Sequence, residues 1–210
     1  LLNLANCTLY DFAITGKYNQ PIILSSAILH GKTQIFPVSI SGKIDFTYTI
    51  FKGEVFIGTI HHAKTYKIEG NMDLNACNFK ELIIFGDVPL KGEITFSRSQ
   101  FEKQFIIHGV NNINSMNFLN SSFEDVFTIC SLPQEQEHKY DYKSVSEKRS
   151  ASKLHNHSQI SFVESTFSSD TLLHNTQIDT EILFEKSIFH KSLLAKNITG
   201  AGSLKFINST

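Results

Sequence analysis

Ile94-Thr95-Phe96-Ser97-Arg98-Ser99-Gln100-Phe101 returns 22 residues later as Met116-Asn117-Phe118-Leu119-Asn120-Ser121-Ser122-Phe123. The shared phrase is aliphatic, x, large, x, x, small, x, large, and it runs the length of the chain. Its first large residue is Leu4, Leu24, Phe46, Leu74, Phe96, Phe118, Phe162, Phe184 and Phe206, each preceded at two residues by an aliphatic side chain, from Leu2 to Leu204. Five residues further on stand Leu9, Leu29, Phe51, Phe79, Phe101, Phe123, Phe167 and Phe189. Two before each of these the residue is small: Cys7, Ala27, Thr49, Cys77, Ser99, Ser121, Ser165 and Ser187. A fixed period of this length marks a solenoid, in which each repeat buries its apolar face only against the next.

Within the phrase, apolar residues alternate with a period of two, as strands require. A helix does not fit, because positions i, i+2, i+5 and i+7 spread around its axis. Short extended pieces joined by corners therefore wind into a coil with an apolar inside, about nine coils of about 22 residues. A third side shows at Ile84, Ile106, Leu172 and Leu194, each ten residues after the first column. A fourth, longer side carries the remaining residues, with much of the glycine and asparagine, as from Gly109 to Asn114. Stacking sets equivalent residues about 4.8 Å apart, so each column becomes a ladder of like side chains. Of the 18 phenylalanines, 12 fall in the two large columns, which assigns them to the core and not to a ligand. Burial of each ring contributes about 2 kcal/mol. The small column is explained sterically: a tight corner that admits a phenyl ring has no room for a second large side chain two residues earlier.

The phrases Ser99-Gln100-Phe101, Ser121-Ser122-Phe123, Ser165-Thr166-Phe167 and Ser187-Ile188-Phe189 resemble the pentapeptide-repeat family in a degenerate, phenylalanine-rich form. The resemblance covers nearly the whole chain apart from residues 131 to 159. It implies an all-β fold, a right-handed quadrilateral parallel β-helix with four short sides per coil. One departure is that the Asp or Asn preferred between the small and large residues is met at Asn78 but replaced at Ile28, Ile50 and Ile188. A three-sided coil of similar period also fits the spacing.

The register breaks in two places. From Phe46 to Leu74 the step is 28 residues, with extra material around Thr59 to Gly70 that includes His61 and His62. Neighbouring residues of an extended chain point opposite ways, so these two histidines do not share a ligand, and a solvated loop is expected. From Phe118 to Phe162 the step is 44 residues. A hidden coil there would place His138, Tyr140, Lys143 and Val145 in the four columns, and a packed interior does not accept lysine or histidine at those positions. The segment is instead read as a polar loop insertion at about 131–159 on a single solenoid domain spanning 1–210. Loops borne on a rigid scaffold are where function concentrates. Tyr140 and Tyr142, flanked by Lys139 and Lys143, are the candidate partner-binding residues, since aromatic and cationic side chains anchor interfaces. His155 and His157, with His138, have a spacing that would also let a metal be shared, but unliganded surface histidines are the expectation.

No catalytic constellation stands out. Outside the second Phe column stand Lys80, Glu102 and Glu124, then Glu81, Lys103 and Asp125, the last three alternating in sign as an ion-pair ladder would. There is no phosphate loop, nucleophile elbow or metal-binding run. With 19 basic and 20 acidic residues the chain has no field to attract nucleic acid. Some pentapeptide-repeat proteins mimic DNA through a long acidic face, which Lys80, Lys103, Lys186 and Lys191 interrupt here. No apolar run approaches the roughly 20 residues of a membrane span. The three cysteines lack metal-ligand spacing and are expected as buried thiols. Five Asn-x-Ser/Thr sites, at Asn6, Asn120, Asn156, Asn197 and Asn208, are near chance in so Asn-rich a chain. Both ends interrupt a repeat, so a segment of a longer chain is expected. The expectation is a non-enzymatic structural scaffold or protein–protein interaction module without cofactors, in a bacterial secreted or effector-like protein. The alternative is a carbohydrate-associated β-helix, an adhesin segment or a polysaccharide lyase, which would want exposed Tyr or Trp in one phase; there is no Trp.

Overall fold

Parallel pairing carries Leu2 onto Ile22, Ile22 onto Ile44, Ile44 onto Met72, Met72 onto Ile94 and Ile94 onto Met116. It continues from Met116 to Ile160, Ile182 and Leu204. The aliphatic column is thus one ladder, as its period requires. The computed structural model describes residues 1–58, 67–86, 89–108, 113–130 and 159–210, and these form strands and turns with no helix among them. The fold is a β-solenoid of stacked parallel coils.

The first wall is a nine-stranded sheet: Leu2–Asn3, Ile22–Ile23, Ile44–Asp45, Met72–Asp73, Leu90–Thr95, Ile113–Leu119, Gln159–Val163, Glu181–Glu185 and Ser203–Ile207. The second wall begins in the long strands Thr8–Tyr18 and Ile28–Ile40 and goes on through Ile50–Phe51, Asn78–Phe79, Gln100–Phe101, Ser122–Phe123, Thr166–Phe167 and Ile188–Phe189. The same two long strands bend into the third wall, followed by Val55–Ile57, Ile83–Phe85, Phe105–His108, Phe127–Cys130, Thr171–Gln177 and Leu193–Thr199. A narrower fourth side closes the coil through single paired residues, Ile40 to Ile68 and Ile68 to Leu90, with Leu90 continuing to Ile113. Ile68 lies within the stretch expected as a solvated loop, yet it is buried and belongs to this side. On the same side Gly42, Gly70 and Gly92 stack so closely that a Cβ on Gly92 would stand 2.1 Å from the Gly70 carbonyl oxygen. Side chains are sterically barred from that column.

The solenoid has about seven turns, not nine. Nine rungs are present on the first wall, but only the seven from Ile22–Leu24 to Ile182–Phe184 have neighbours on both sides and bury their columns. Leu2 and Phe206, on the outermost rungs, are 39% and 44% exposed. The 44-residue step joins adjacent rungs, since Phe118 pairs with Phe162. Gln159, placed in the insertion by sequence, is the first residue of the resumed strand.

Two phenylalanine ladders form the core. Phe51, Phe79, Phe101, Phe123, Phe167 and Phe189 stack with centroids 4.6, 5.0, 4.6, 4.7 and 4.8 Å apart. Phe96, Phe118, Phe162, Phe184 and Phe206 stack at 4.6, 4.7, 4.8 and 5.1 Å. Between the ladders the rings meet edge to face, as at Phe96–Phe101 (61°), an arrangement that suits the ring quadrupoles. Phe85, Phe105 and Phe127 complete the interior from the third wall.

The third wall differs from expectation by one residue. Ile84, Ile106, Leu172 and Leu194 point away from the interior, and the inward residues are their neighbours: Ile83 and Phe85, Phe105 and Ile107, Thr171 and Leu173. In a strand a shift of one residue exchanges the two faces.

The corner between the first and second walls is the most regular feature. The residue before every small residue has positive φ: Asn6, Ser26, Tyr48, Ala76, Arg98, Asn120, Glu164, Lys186 and Asn208, between 51° and 62°. The small residue then donates its N–H back three positions, as from Thr49 to Phe46 at 2.9 Å, which is the turn that needs φ > 0 at its third residue. The small side chains are also hydrogen-bonded. Thr49 donates to the Leu24 carbonyl at 2.7 Å, Ser99 to that of Leu74 at 2.6 Å, Ser187 to that of Phe162 at 3.0 Å, and Ser121 to that of Phe96. Ser99 and Ser121 in turn accept the N–H of Cys77 and Ser99. Steric room explains why the residue is small; these bonds explain why it is so often a hydroxyl.

Candidate functional site

Tyr140, Tyr142, Lys139 and Lys143 lie outside the described residues, as do His138, His155, His157, His61 and His62. The described residues end a third-wall strand at Cys130 and resume at Gln159, the first residue of a first-wall strand.

Register builds the outside of the third wall residue by residue. Gln34 pairs with Phe56, Phe56 with Ile84, Ile84 with Ile106, Ile106 with Thr128, Thr128 with Leu172, and Leu172 with Leu194. Two residues on, alternation puts a second outward column alongside: His108, Cys130, His174 and Lys196. The first column is apolar over most of its length, whereas an outer strand face in contact with water ordinarily reads polar. Phe56, Ile84 and Thr128 are nearly fully buried although they face outward, and the Lys32 ammonium sits 5.0 Å from the Phe56 ring centre. The Thr128 hydroxyl has no hydrogen-bond partner among the described residues. Burial pushes the Cys130 thiol up to about 11. Sequence reasoning saw this column and assigned it to the core. On three rungs the flanking residues Ile83, Phe85, Phe105, Ile107, Phe127 and Ile129 are the bulkier set, but Leu172 is flanked by Thr171 and Leu173, so bulk alone does not give the direction.

The other faces disperse charge. The expected ladder of Glu81, Lys103 and Asp125 is not formed, since no ion pair links them among the described residues; the pair on the adjacent column is Lys80 with Glu102 on the next rung. Glu69 lies 3.1 Å from both Lys67 and Lys91, whose hydrogen bonds hold its carboxyl below the usual range. Lys43 meets Asp73 at 2.6 Å, and this hydrogen bond raises its pKa. Cys77 donates its thiol to the Phe46 carbonyl at 3.0 Å, taking the place a serine hydroxyl holds elsewhere, and burial pushes it up to about 12. It is a corner residue, and a thiolate there is strongly disfavoured. Among the described residues no three His, Cys, Asp or Glu side chains are grouped to hold a metal ion. No helix among them is long and apolar enough to cross a membrane.

No family model, curated protein or solved structure matches the chain.

Two smaller features have structural origins. Asn6, Asn120 and Asn208 occupy the left-handed corner, which asparagine tolerates well, and a small residue and a polar outward residue follow by register. Those three Asn-x-Ser/Thr sites are thus products of the corner. Tyr10 and Tyr48 are 73% and 65% exposed but stand at different phases, Tyr10 stacked on His30 at 4.8 Å and Tyr48 at the turn. A sugar track along one face is not formed by them.

Proposed function

We propose that this chain is a non-catalytic scaffold of the pentapeptide-repeat kind that binds a protein partner through columns of outward side chains. The observation that carries this is the outer column of the third wall, where Ile84, Ile106, Thr128, Leu172 and Leu194 follow one another rung by rung on the outside of a rigid ladder. A ladder of this kind is preorganised, so a partner meets side chains already fixed and loses little further conformational entropy in them. Apolar side chains gathered on an outward face mark interaction sites. The residues Lys139, Tyr140, Tyr142 and Lys143 belong to the same proposal, since in sequence they follow Cys130, the last residue of a strand of this wall.

The experiment is cross-linking mass spectrometry on complexes captured by the intact chain and by a variant lacking residues 134–158. Cross-links from the partner that fall on the third wall or on the Lys139–Lys143 stretch support a scaffold. Turnover of an acidic polysaccharide by the purified chain, or specific binding on a glycan array, would replace it with the carbohydrate alternative.

A further inference from the structure

Phe118 and Phe162 are rung neighbours 44 residues apart, whereas every other step along that column is 20 to 28 residues. All three walls nevertheless run unbroken across this junction. Met116 lies on Ile160, Phe123 on Phe167 and Ile129 on Leu173. Rings stack at 4.7 Å from Phe118 to Phe162 and from Phe123 to Phe167, and Phe127 meets Phe162 edge on at 5.1 Å. The Thr166 N–H donates to the Ser121 carbonyl at 2.9 Å, that of Ser168 to Phe123 at 2.8 Å, and the Ser161 hydroxyl to the Asn117 side chain at 2.6 Å. No ion pair crosses the junction among the described residues. The contact is therefore made like every other rung contact, by apolar packing and hydrogen bonds. Its covalent connection is different. Elsewhere a rung is tied to its predecessor by about one turn of chain and does not leave without unwinding a coil. Here residues 131 to 158 intervene, a length whose extended reach is roughly 90 Å, so the coils on either side are free to part while each stays wound.

We infer that this junction is exchangeable: the coils from Gln159 onward seat on the Ile113–Cys130 coil of their own chain or, at high concentration, on that of a second copy. A second copy fits because it offers the same residues in the same register, so each contact of the closed form is remade in the exchanged one. Only the tethering differs. A connecting segment gives its two ends an effective concentration of about 1 mM, so the exchanged dimer competes near that concentration and is scarce far below it. With no charge pair across the contact, salt has little effect on the balance. The inference goes beyond the scaffold proposed above and does not depend on it, since its surface is the inner face between two coils and its partner is another molecule of this chain.

The test uses the whole chain carrying Cys7→Ser, with Leu119→Cys in one preparation and Val163→Cys in another. Leu119 is exposed, Val163 is half-buried, and the two are register partners on the outside of the first wall, so the introduced thiols meet only across this junction. Neighbouring strands set their Cα atoms about 4.8 Å apart, within the range of a disulfide. Cys77 and Cys130 are buried and stay out of the reaction. The two preparations are unfolded together, refolded together and oxidised with glutathione disulfide, so slow opening does not hide exchange. At about 1 mM protein the disulfide-linked dimer on a non-reducing gel is expected to exceed its yield at about 10 μM by more than about tenfold, at low and high salt alike. Each preparation refolded alone measures chance linkage. A chain carrying both substitutions should link internally and remain a monomer when dilute. Linked dimer no more abundant in the mixture than in either preparation alone, or indifferent to concentration, overturns the inference. Failure of the doubly substituted chain to link internally overturns it as well, because the register of the junction would then be wrong. The scaffold is untouched by these results and fails only on the turnover or glycan result given above.

Discussion

The inner corner and the outside of the third wall are both built by stacking like residues at one register, yet they obey different rules. At the corner the small residue is closed in on all sides, and Ser99 is fully buried with its hydroxyl both donating to Leu74 and accepting from Cys77. The fold therefore dictates the residue. On the third wall's outer column the fold dictates only direction, and Phe, Ile, Thr and Leu succeed one another there. Where packing and hydrogen bonds leave nothing to choose, repetition reports architecture; where they leave latitude, the chosen residues report something beyond the fold.

The sharpest way to break this contrast is at the corner. Ser99→Leu loses two hydrogen bonds and overfills a closed site, so roughly 4 kcal/mol of destabilisation is expected. Phe101→Leu leaves a smaller defect of about 1–2 kcal/mol. Thermal unfolding that ranks the two equally would remove the special status of the corner. Ser99→Cys should cost less than either, because Cys77 already fills the equivalent place. A second comparison sets an inward threonine against an outward one. Thr171 and Thr128 are both buried without a partner for the hydroxyl among the described residues, so valine at either position is expected to stabilise by about 1 kcal/mol. A gain at Thr171 alone, read from denaturant midpoints, would show that the outer column is wetter than the inner one.

Smaller effects follow from the turn. Tyr48 holds φ at 62° with an exposed ring, a conformation unfavourable to tyrosine, so Tyr48→Asn should stabilise by about 1 kcal/mol. An unchanged melting temperature would mean that the unfolded chain shares the preference. Least of all is expected from Lys80→Ala. Its pair with Glu102 is still partly open to solvent, so less than about 1 kcal/mol should be lost, and salt should weaken even that.

Most of the fold was legible in sequence for one physical reason: a parallel stack forces equivalent residues into identical surroundings, so surroundings can be read from recurrence. The aliphatic and Phe columns, and the place where Phe118 meets Phe162 across the long step, came from that alone. The third wall was misread by one residue because both its faces are apolar, and period-two alternation then gives no sign of which face is inside. The hydrogen bonding of the small column was invisible for a different reason. A serine in a tight place satisfies steric and polar demands together, and only the coordinates separate them. Of the candidate surface, the apolar column itself was visible, but its direction was not, and without direction it had no function to suggest.

The bonds that corner hydroxyls make between coils run in one direction. Ser99 reaches back to Leu74 and receives the N–H of Cys77, and Ser187 reaches back to Phe162, so each of these contacts is to the coil made before. During synthesis, when chains fold from the N-terminus as they emerge, a new coil finds both acceptor and donor already waiting on its predecessor. The serine column thus acts as a vectorial template, and a fault in one corner should stall every coil that follows while leaving the earlier ones intact.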